Sequence, residues 1–109
     1  MISRKLTMYA KNTSEGSVIR KLIEGMYSHP MYPNITEQLI NTDGFVTKIN
    51  TMIENKDHTE FISEIKFENQ QTFDNHFNDP GVQNLYNYLN VIIESENIQA
   101  KTEILQVDV

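Results

Sequence analysis

His76 is the side chain in this sequence that is best suited to proton transfer. It lies near the end of the stretch 65–77, IKFENQQTFDNHF, which passes from a strand-like alternation into the start of a helix. An imidazole titrates near neutral pH and can act as a general base. The alternative is a structural histidine on a short helix that hydrogen-bonds a neighbouring strand or loop. Both interpretations stay open, and the sequence favours the structural one.

Other residue combinations that carry chemistry are absent or weak. The chain contains no cysteine, no glycine-rich phosphate loop and no G-x-S-x-G sequence. His58 and Glu60 form an H-x-E pair without a third ligand at a telling distance, so we expect no metal site. His29, beside Pro30, and His58, at a predicted hairpin, are expected at the surface.

Size and charge restrict the class of protein. The 109 residues are 39% hydrophobic and 22% charged, which is typical of one globular domain spanning 1–109. The net charge is −6, whereas a nucleic-acid partner requires a basic face, so no nucleic-acid binding is expected. No apolar run is long enough to span a membrane, and we expect no signal peptide because no long apolar run follows the first basic residues. We expect a cytoplasmic protein with no membrane partner.

Hydrophobic periodicity predicts four strands and four helices. Alternating residues predict strands over 3–11, 45–54, 58–68 and 98–109. Helical spacing predicts a helix over 17–27, a short helix over 34–41, another containing Phe73 and Phe77, and a long helix from Asp79 onward. The long helix has the clearest apolar stripe, which includes Tyr86.

Turn and cap residues predict where these elements begin. Asn34 with Glu37 resembles a capping box, Asn69 is a predicted N-cap, and Asp79 with Pro80 fits the N-cap and first position of the long helix. A turn at 43–44 leads into the second strand. In that strand, alternation places five residues on one side, Phe45, Thr47, Ile49, Thr51 and Ile53, with Val46 and Met52 on the other.

The order β-α-β-β-α-β predicts an α+β, ferredoxin-like fold, with a four-stranded antiparallel sheet and its helices on one face. The strands nevertheless carry apolar residues toward both faces, for example Ile62 opposite Phe61 and Leu105 opposite Ile104. An uncovered, partly apolar sheet face predicts a partner. We therefore expect a homodimer joined through the open sheet face.

Two segments resemble the antibiotic biosynthesis monooxygenase-like domains of the dimeric α+β barrel superfamily. The turn and strand start DGFV (43–46) resemble that family's glycine turn. In FENQQTFDNH (67–76) an aromatic residue at the end of strand three is followed nine residues later by a histidine, and NDPGVQNL (78–85) stands where the family's long helix begins. The chain departs from the family at Phe67, often tryptophan there, at Ile65, commonly glutamate, and in its longer segment 30–43.

The resemblance implies a dimeric α+β barrel with a small apolar pocket between sheet and helices. It further implies a cofactor-independent monooxygenase acting on an aromatic or quinol-type molecule without metal or flavin, with His76 as the proton acceptor. The residues expected to line the pocket are Phe61, Phe67, Phe73, Tyr86 and Asn12. The alternative is a non-catalytic or stress-associated protein that binds a small apolar or aromatic ligand.

A third class, a haem handler, has less support. Asn12 in the context Ala10-Lys11-Asn12 resembles the active-site asparagine of the haem-degrading branch, although a turn residue is the simpler interpretation. That branch also needs a tryptophan where Phe67 stands and a haem-ligating histidine on the long helix, which this sequence lacks.

Overall fold

The computed structural model describes residues 1–10, 13–54, 59–96 and 98–106, with residues 13–18 described by their backbone only. Asn12 and His58 lie outside the described residues. The strands are β1 (Ile2–Ala10), β2 (Phe45–Glu54), β3 (Thr59–Phe67) and β4 (Gln99–Gln106). The helices are α1 (Thr13–Ser28), α2 (Tyr32–Ile40), α3 (Gln70–Phe77) and α4 (Pro80–Ser95).

The four strands form one antiparallel sheet in the order β2-β3-β1-β4. The hairpin of β2 and β3 places these strands side by side, and the two helical connections bring β1 between β3 and β4. This strand order is that of the ferredoxin-like arrangement. The predicted ferredoxin-like α+β fold is therefore confirmed.

The core lies between the helices and one side of the sheet, which we call the helix side. The apolar stripe of α4 is buried there through Val82, Leu85, Leu89 and Ile93. It packs in one cluster with the buried side chains of α1, β1 and β3, which include Ile19, Leu22, Met8 and Phe61. Burying each such side chain stabilises the fold by roughly 1.5–3 kcal/mol.

The predicted N-caps of α3 and α4 are confirmed. Asn69 accepts a hydrogen bond from the backbone N–H of Thr72 at 2.9 Å, and Asp79 accepts one from Val82 at 3.2 Å. Each satisfies a donor that the first helical turn would leave unpaired.

The predicted capping box at Asn34 and Glu37 is wrong. Helix α2 begins two residues earlier, at Tyr32, and its N-cap Met31 makes no side-chain cap bond. Pro33 lies in the first turn, where the missing N–H of proline leaves no helical hydrogen bond unmade.

The predicted alternation of β2 is wrong at its start, because the strand contains an irregularity between Phe45 and Thr47. Phe45 packs against Phe67 on the helix side, with ring centroids 6.3 Å apart. One inserted residue reverses the faces that follow, so Thr47 and Ile49 lie on the opposite side from Phe45. Lys48 consequently lies on the helix side.

The other side of the sheet, which we call the open face, is not covered by any helix of the described residues. It exposes Ile49 by 54%, Ile53 by 43% and Leu105 by 42%, which agrees with the predicted apolar character of this face. Within the described part of the chain, each helix falls short of the length and apolarity that a membrane crossing requires.

Candidate functional site

Helix α3, which carries His76, is fixed in place by the turn that precedes β2. The Thr72 hydroxyl donates to the carbonyl oxygen of Asp43 at 3.3 Å, and the N–H of Glu68 donates to the carbonyl oxygen of Gly44 at 2.7 Å. These bonds hold both ends of the β3–α3 connection against the turn. The position of His76 is therefore set by contacts far from it along the chain.

Gly44 is required at this turn for two independent reasons. Its φ of +92° is a left-handed conformation that residues with a side chain rarely adopt. A Cβ atom there would also lie 2.6 Å from the Thr72 hydroxyl oxygen. The predicted turn at 43–44 is confirmed. It leads into β2 and also holds the start of α3 in place.

The ring of Phe67 lies at the centre of an aromatic cluster. Phe67 is completely buried, and its ring makes edge contacts with Phe73 at 5.8 Å and with Phe77 at 6.0 Å. The imidazole of His76 lies 5.5 Å from the Phe67 ring and 4.8 Å from the Phe77 ring. Phe67, predicted to line a pocket, is thus a core residue that supports His76.

His76 is held by ring contacts rather than by hydrogen bonds. Its imidazole has no hydrogen-bond partner among the described residues, so the expected bond to a strand or loop is not formed. Burial, the largest cause, acts together with the positive charges of Lys48 and Arg4 and against the charge of Asp79, and the net effect lowers the pKa of His76 from 6.5 to about 4. The imidazole is therefore neutral at pH 7, with one ring nitrogen free to accept a proton.

His76 lines a small space between helices and sheet, which we call the inner cavity. Its walls include Lys48, Phe61, Ser63, His76, Tyr86 and Ile35. The volume is about 30 Å³, which holds about one water molecule and no aromatic ring. Ile35 and Leu39 of α2 help to close it, so the long segment 30–43 forms part of its wall.

Lys48 is the unexpected polar residue of the inner cavity. Its ammonium group donates to the Tyr32 hydroxyl at 3.3 Å and lies 4.7 Å from the centre of that ring. Burial lowers the pKa of Lys48, and it raises the pKa of Tyr32. Sequence reasoning missed Lys48 because an unbroken alternation through β2 gives no indication of the irregularity.

A larger, open space, which we call the cleft, lies beside α3, α4 and the β4 edge. Its volume is about 380 Å³, and its lining includes Arg4, Phe73, Phe77, Gln83, Tyr86 and Ile104. This volume falls within the range of small-molecule sites. Tyr86 lines both the cleft and the inner cavity, so its side chain forms the wall between them.

Arg4 provides the positive charge of the cleft. The central carbon of its guanidinium lies 4.3 Å from the Tyr86 ring centre and 5.0 Å from the Phe77 ring centre. Tyr86 is partly buried, and burial raises the pKa of its hydroxyl. Sequence reasoning also missed Arg4, although its position in the alternation of Ile2 and Met8 was a usable signal that it faces inward.

The structure brings together four of the predicted site residues. Phe61, His76 and Tyr86 line the inner cavity, and Phe73 with Tyr86 lines the cleft. Asn12 lies outside the described residues. Among the described residues, no three His, Cys, Asp or Glu side chains are close enough together to hold a metal ion.

Comparisons with known proteins rest on the fold alone. No protein-family model and no curated protein matches the sequence. Among solved structures, a protein from Deinococcus radiodurans assigned as an antibiotic biosynthesis monooxygenase is 14% identical, with a TM-score of 0.60 over 100% of this chain and 94% of that one. The monooxygenase ActVA-Orf6 of Streptomyces coelicolor, in complex with nanaomycin D, is 16% identical, with a TM-score of 0.60 over 99% and 88%.

A similar likeness extends to a designed protein. The de novo designed protein Foldit4 is 7% identical to this chain, with a TM-score of 0.57 over 98% of each chain. A shared fold is therefore compatible with different functions or with none. In its architecture, this chain resembles these monooxygenase structures, and the likeness shows a shared fold.

Proposed function

We propose that this protein is a cofactor-independent monooxygenase that acts on an aromatic or quinol-type small molecule. The observation that supports this best is the cleft of about 380 Å³, in which the guanidinium of Arg4 lies over the rings of Phe77 and Tyr86 and Phe73 forms part of the lining. Aromatic walls favour a flat ring as ligand, and a cation beside them favours the anionic form of that ring. The fold likeness to a monooxygenase that holds nanaomycin D agrees with this proposal.

With an anthrone as substrate, the proposed reaction converts the methylene carbon into a carbonyl. The methylene loses one proton, the carbanion gives one electron to O₂, and the two radicals combine to a peroxide. The peroxide takes up a proton and loses water, so that one oxygen atom of O₂ enters the product and the other leaves as water. The protein has to stabilise the carbanion and to hold the proton between these steps.

Arg4 and His76 divide these two tasks in the proposal. Arg4 lies in the cleft and stabilises the negative charge on the substrate. His76 is neutral at pH 7 and can accept the proton, and an anion in the cleft offsets the positive charges that lower its pKa. Because the inner cavity holds no aromatic ring, the substrate occupies the cleft, and proton transfer to His76 requires the Tyr86 side chain to turn aside.

Oxygen uptake tests this proposal. Wild type, His76→Ala and the control His29→Ala are mixed with a panel of anthrones and quinols, and each variant is checked for its thermal unfolding. His29 is a suitable control because it accepts a local bond from the Met31 N–H at 3.1 Å, outside the inner cavity. The proposal expects uptake by wild type and control that falls at least tenfold in His76→Ala. No uptake with any substrate refutes the oxygenase, and an equal rate in His76→Ala refutes the role of His76.

The second candidate is binding without turnover. It is favoured by the small volume of the inner cavity, which keeps a bound ring away from His76. Calorimetric titration with the same compounds separates the two, since tight binding without oxygen uptake supports this candidate. A haem titration without a change in the haem absorbance spectrum removes haem handling.

We also propose that two copies of this chain pair through the open face. The described strands place three lysines and three glutamates on that face, Lys5, Lys66, Lys101, Glu60, Glu64 and Glu103, although the whole chain has a net charge of −6. Balanced charges among exposed isoleucines suit contact with an identical surface.

Sedimentation velocity tests the pairing. Ile49→Glu, on the open face, should convert a dimer into a monomer, whereas Ile40→Glu, at an exposed site on α2, should not. The pairing is contradicted if wild type remains a monomer over a 100-fold range of protein concentration, or if Ile49→Glu remains a dimer.

A further inference from the structure

Two positively charged side chains lie in one row across the helix side of the sheet. Arg4 on β1 is paired with Ile65 on β3 and with Ile104 on β4, and Lys48 on β2 is paired with the same Ile65. Lys48 and Arg4 therefore flank one buried isoleucine. Two strand spacings place their Cα atoms about 10 Å apart.

The neighbouring row on the open face is built differently. There Lys5, adjacent to Arg4 in the chain, is paired with Glu64 on one side and Glu103 on the other. Lys66 also lies 3.5 Å from Glu64. In the strand pairing, the open face thus places glutamates opposite Lys5, whereas the helix side places isoleucines opposite Arg4 and Lys48.

Neither Arg4 nor Lys48 forms an ion pair with any residue that the structure describes. Glu54, which lies on the same side of β2 as Lys48, is bound by Arg20 at 2.5 Å. Asp79, the acidic group that acts on His76, accepts the N–H of Val82 as the cap of α4.

The chain does not lack acidic residues, since Asp and Glu number 15 against 9 Lys and Arg. Two half-buried cations without a counter-charge among the described residues weaken the fold. An anionic ligand bound beside them offsets this cost.

We infer that the cleft binds an aromatic carboxylate, with Arg4 as its direct partner and Lys48 adding positive potential from the inner cavity. The guanidinium lies over the Tyr86 and Phe77 rings, and a guanidinium stacked in this way keeps the N–H groups of its edge available in its own plane. Paired N–H groups match the two oxygens of a carboxylate. The aromatic lining of the cleft then receives the ring that carries the carboxylate.

This inference rests on the proposed site but not on oxygen chemistry. If the carboxylate is bound and no oxygen is consumed, the oxygenase is refuted and the anion site remains. If oxygen is consumed equally with neutral and anionic substrates, the anion site is refuted and the oxygenase remains.

Calorimetric titration with 2-naphthoate and with its neutral analogue 2-naphthamide tests the anion site. Wild type should bind the carboxylate roughly tenfold or more tightly than the amide, and this preference should weaken as salt is added. Arg4→Met should abolish the preference, and Lys48→Met should reduce it a few-fold. Lys5→Met, the matched change on the open face, should leave it intact.

Arg4→Lys keeps the charge without the paired N–H groups and should give an intermediate preference for the carboxylate. This variant also tests the role of Arg4 if Arg4→Met does not fold. Equal binding of both compounds by wild type, binding of neither, or an undiminished preference in both Arg4 variants overturns the inference.

Discussion

Acid should destabilise this protein through His76 before its carboxylates are fully protonated. In the folded protein the pKa of His76 is lowered from 6.5 to about 4, chiefly by burial and then by the charges of Lys48 and Arg4. The unfolded chain takes up the proton near pH 6.5. Between pH 6.5 and 4 the unfolded state therefore binds more protons than the folded state. The stability that the protein has with His76 neutral is complete above pH 6.5, and it is lost as the pH falls through that window.

The size of the effect follows from the pKa difference. At about 1.4 kcal/mol for each pH unit, the lowered pKa corresponds to roughly 3 kcal/mol when the whole window has been crossed. His76 is only half-buried, and solvent screening reduces the effect to roughly 1–2 kcal/mol.

Urea unfolding at pH 7.5 and at pH 4.5 measures this contribution. Wild type should lose about 1 kcal/mol more than His76→Gln between the two pH values, because glutamine does not titrate. The carboxylates protonate in both proteins, so their effect cancels in the comparison. Equal losses in wild type and His76→Gln would refute the reasoning.

Three further predictions follow from the contacts around the site. Gly44→Ala should lower the free energy of unfolding by about 2–4 kcal/mol, since it combines a left-handed φ with a clash against Thr72, and a variant as stable as wild type in urea would contradict this. Asn69→Ala should cost about 1 kcal/mol by removing the α3 cap, measured in the same way, and no loss would show that the cap is dispensable. Lys48→Met should raise the pKa of His76 in an NMR titration, because one like charge is removed, and an unchanged midpoint would argue against that coupling.

Much of the fold could be predicted from local signals. The stripe of α4 and the caps Asn69 and Asp79 depend on spacings of a few residues, and the structure contains them all. The start of α2 could not be predicted as easily, because Asn34 and Glu37 offer a capping box while Pro33 fits the first turn of a helix that begins earlier. Both signals are physically sound, and the packing of the whole segment decides between them.

The single inserted residue in β2 has the largest consequence for the site. A period of two predicts faces only while the strand pairs without interruption, and an irregularity after Phe45 exchanges every face beyond it. Ile49 thereby moves to the open face and Lys48 to the inner cavity. Nothing in the local sequence marks this exchange, because Phe45 and Ile49 are equally good core residues.

The charges on the helix side distinguish this chain from a stable scaffold of the same shape. A designed protein at 7% identity reaches a similar fold, so the arrangement of strands and helices carries no chemistry by itself. Stability alone favours apolar residues or paired charges at positions 4 and 48, as the carboxylates around Lys5 illustrate on the other face of the same strand. Arg4 and Lys48 have no such partners among the described residues, and their charges add to burial in lowering the pKa of His76. A search for the ligand should therefore select compounds first by negative charge and then by the shape of the ring.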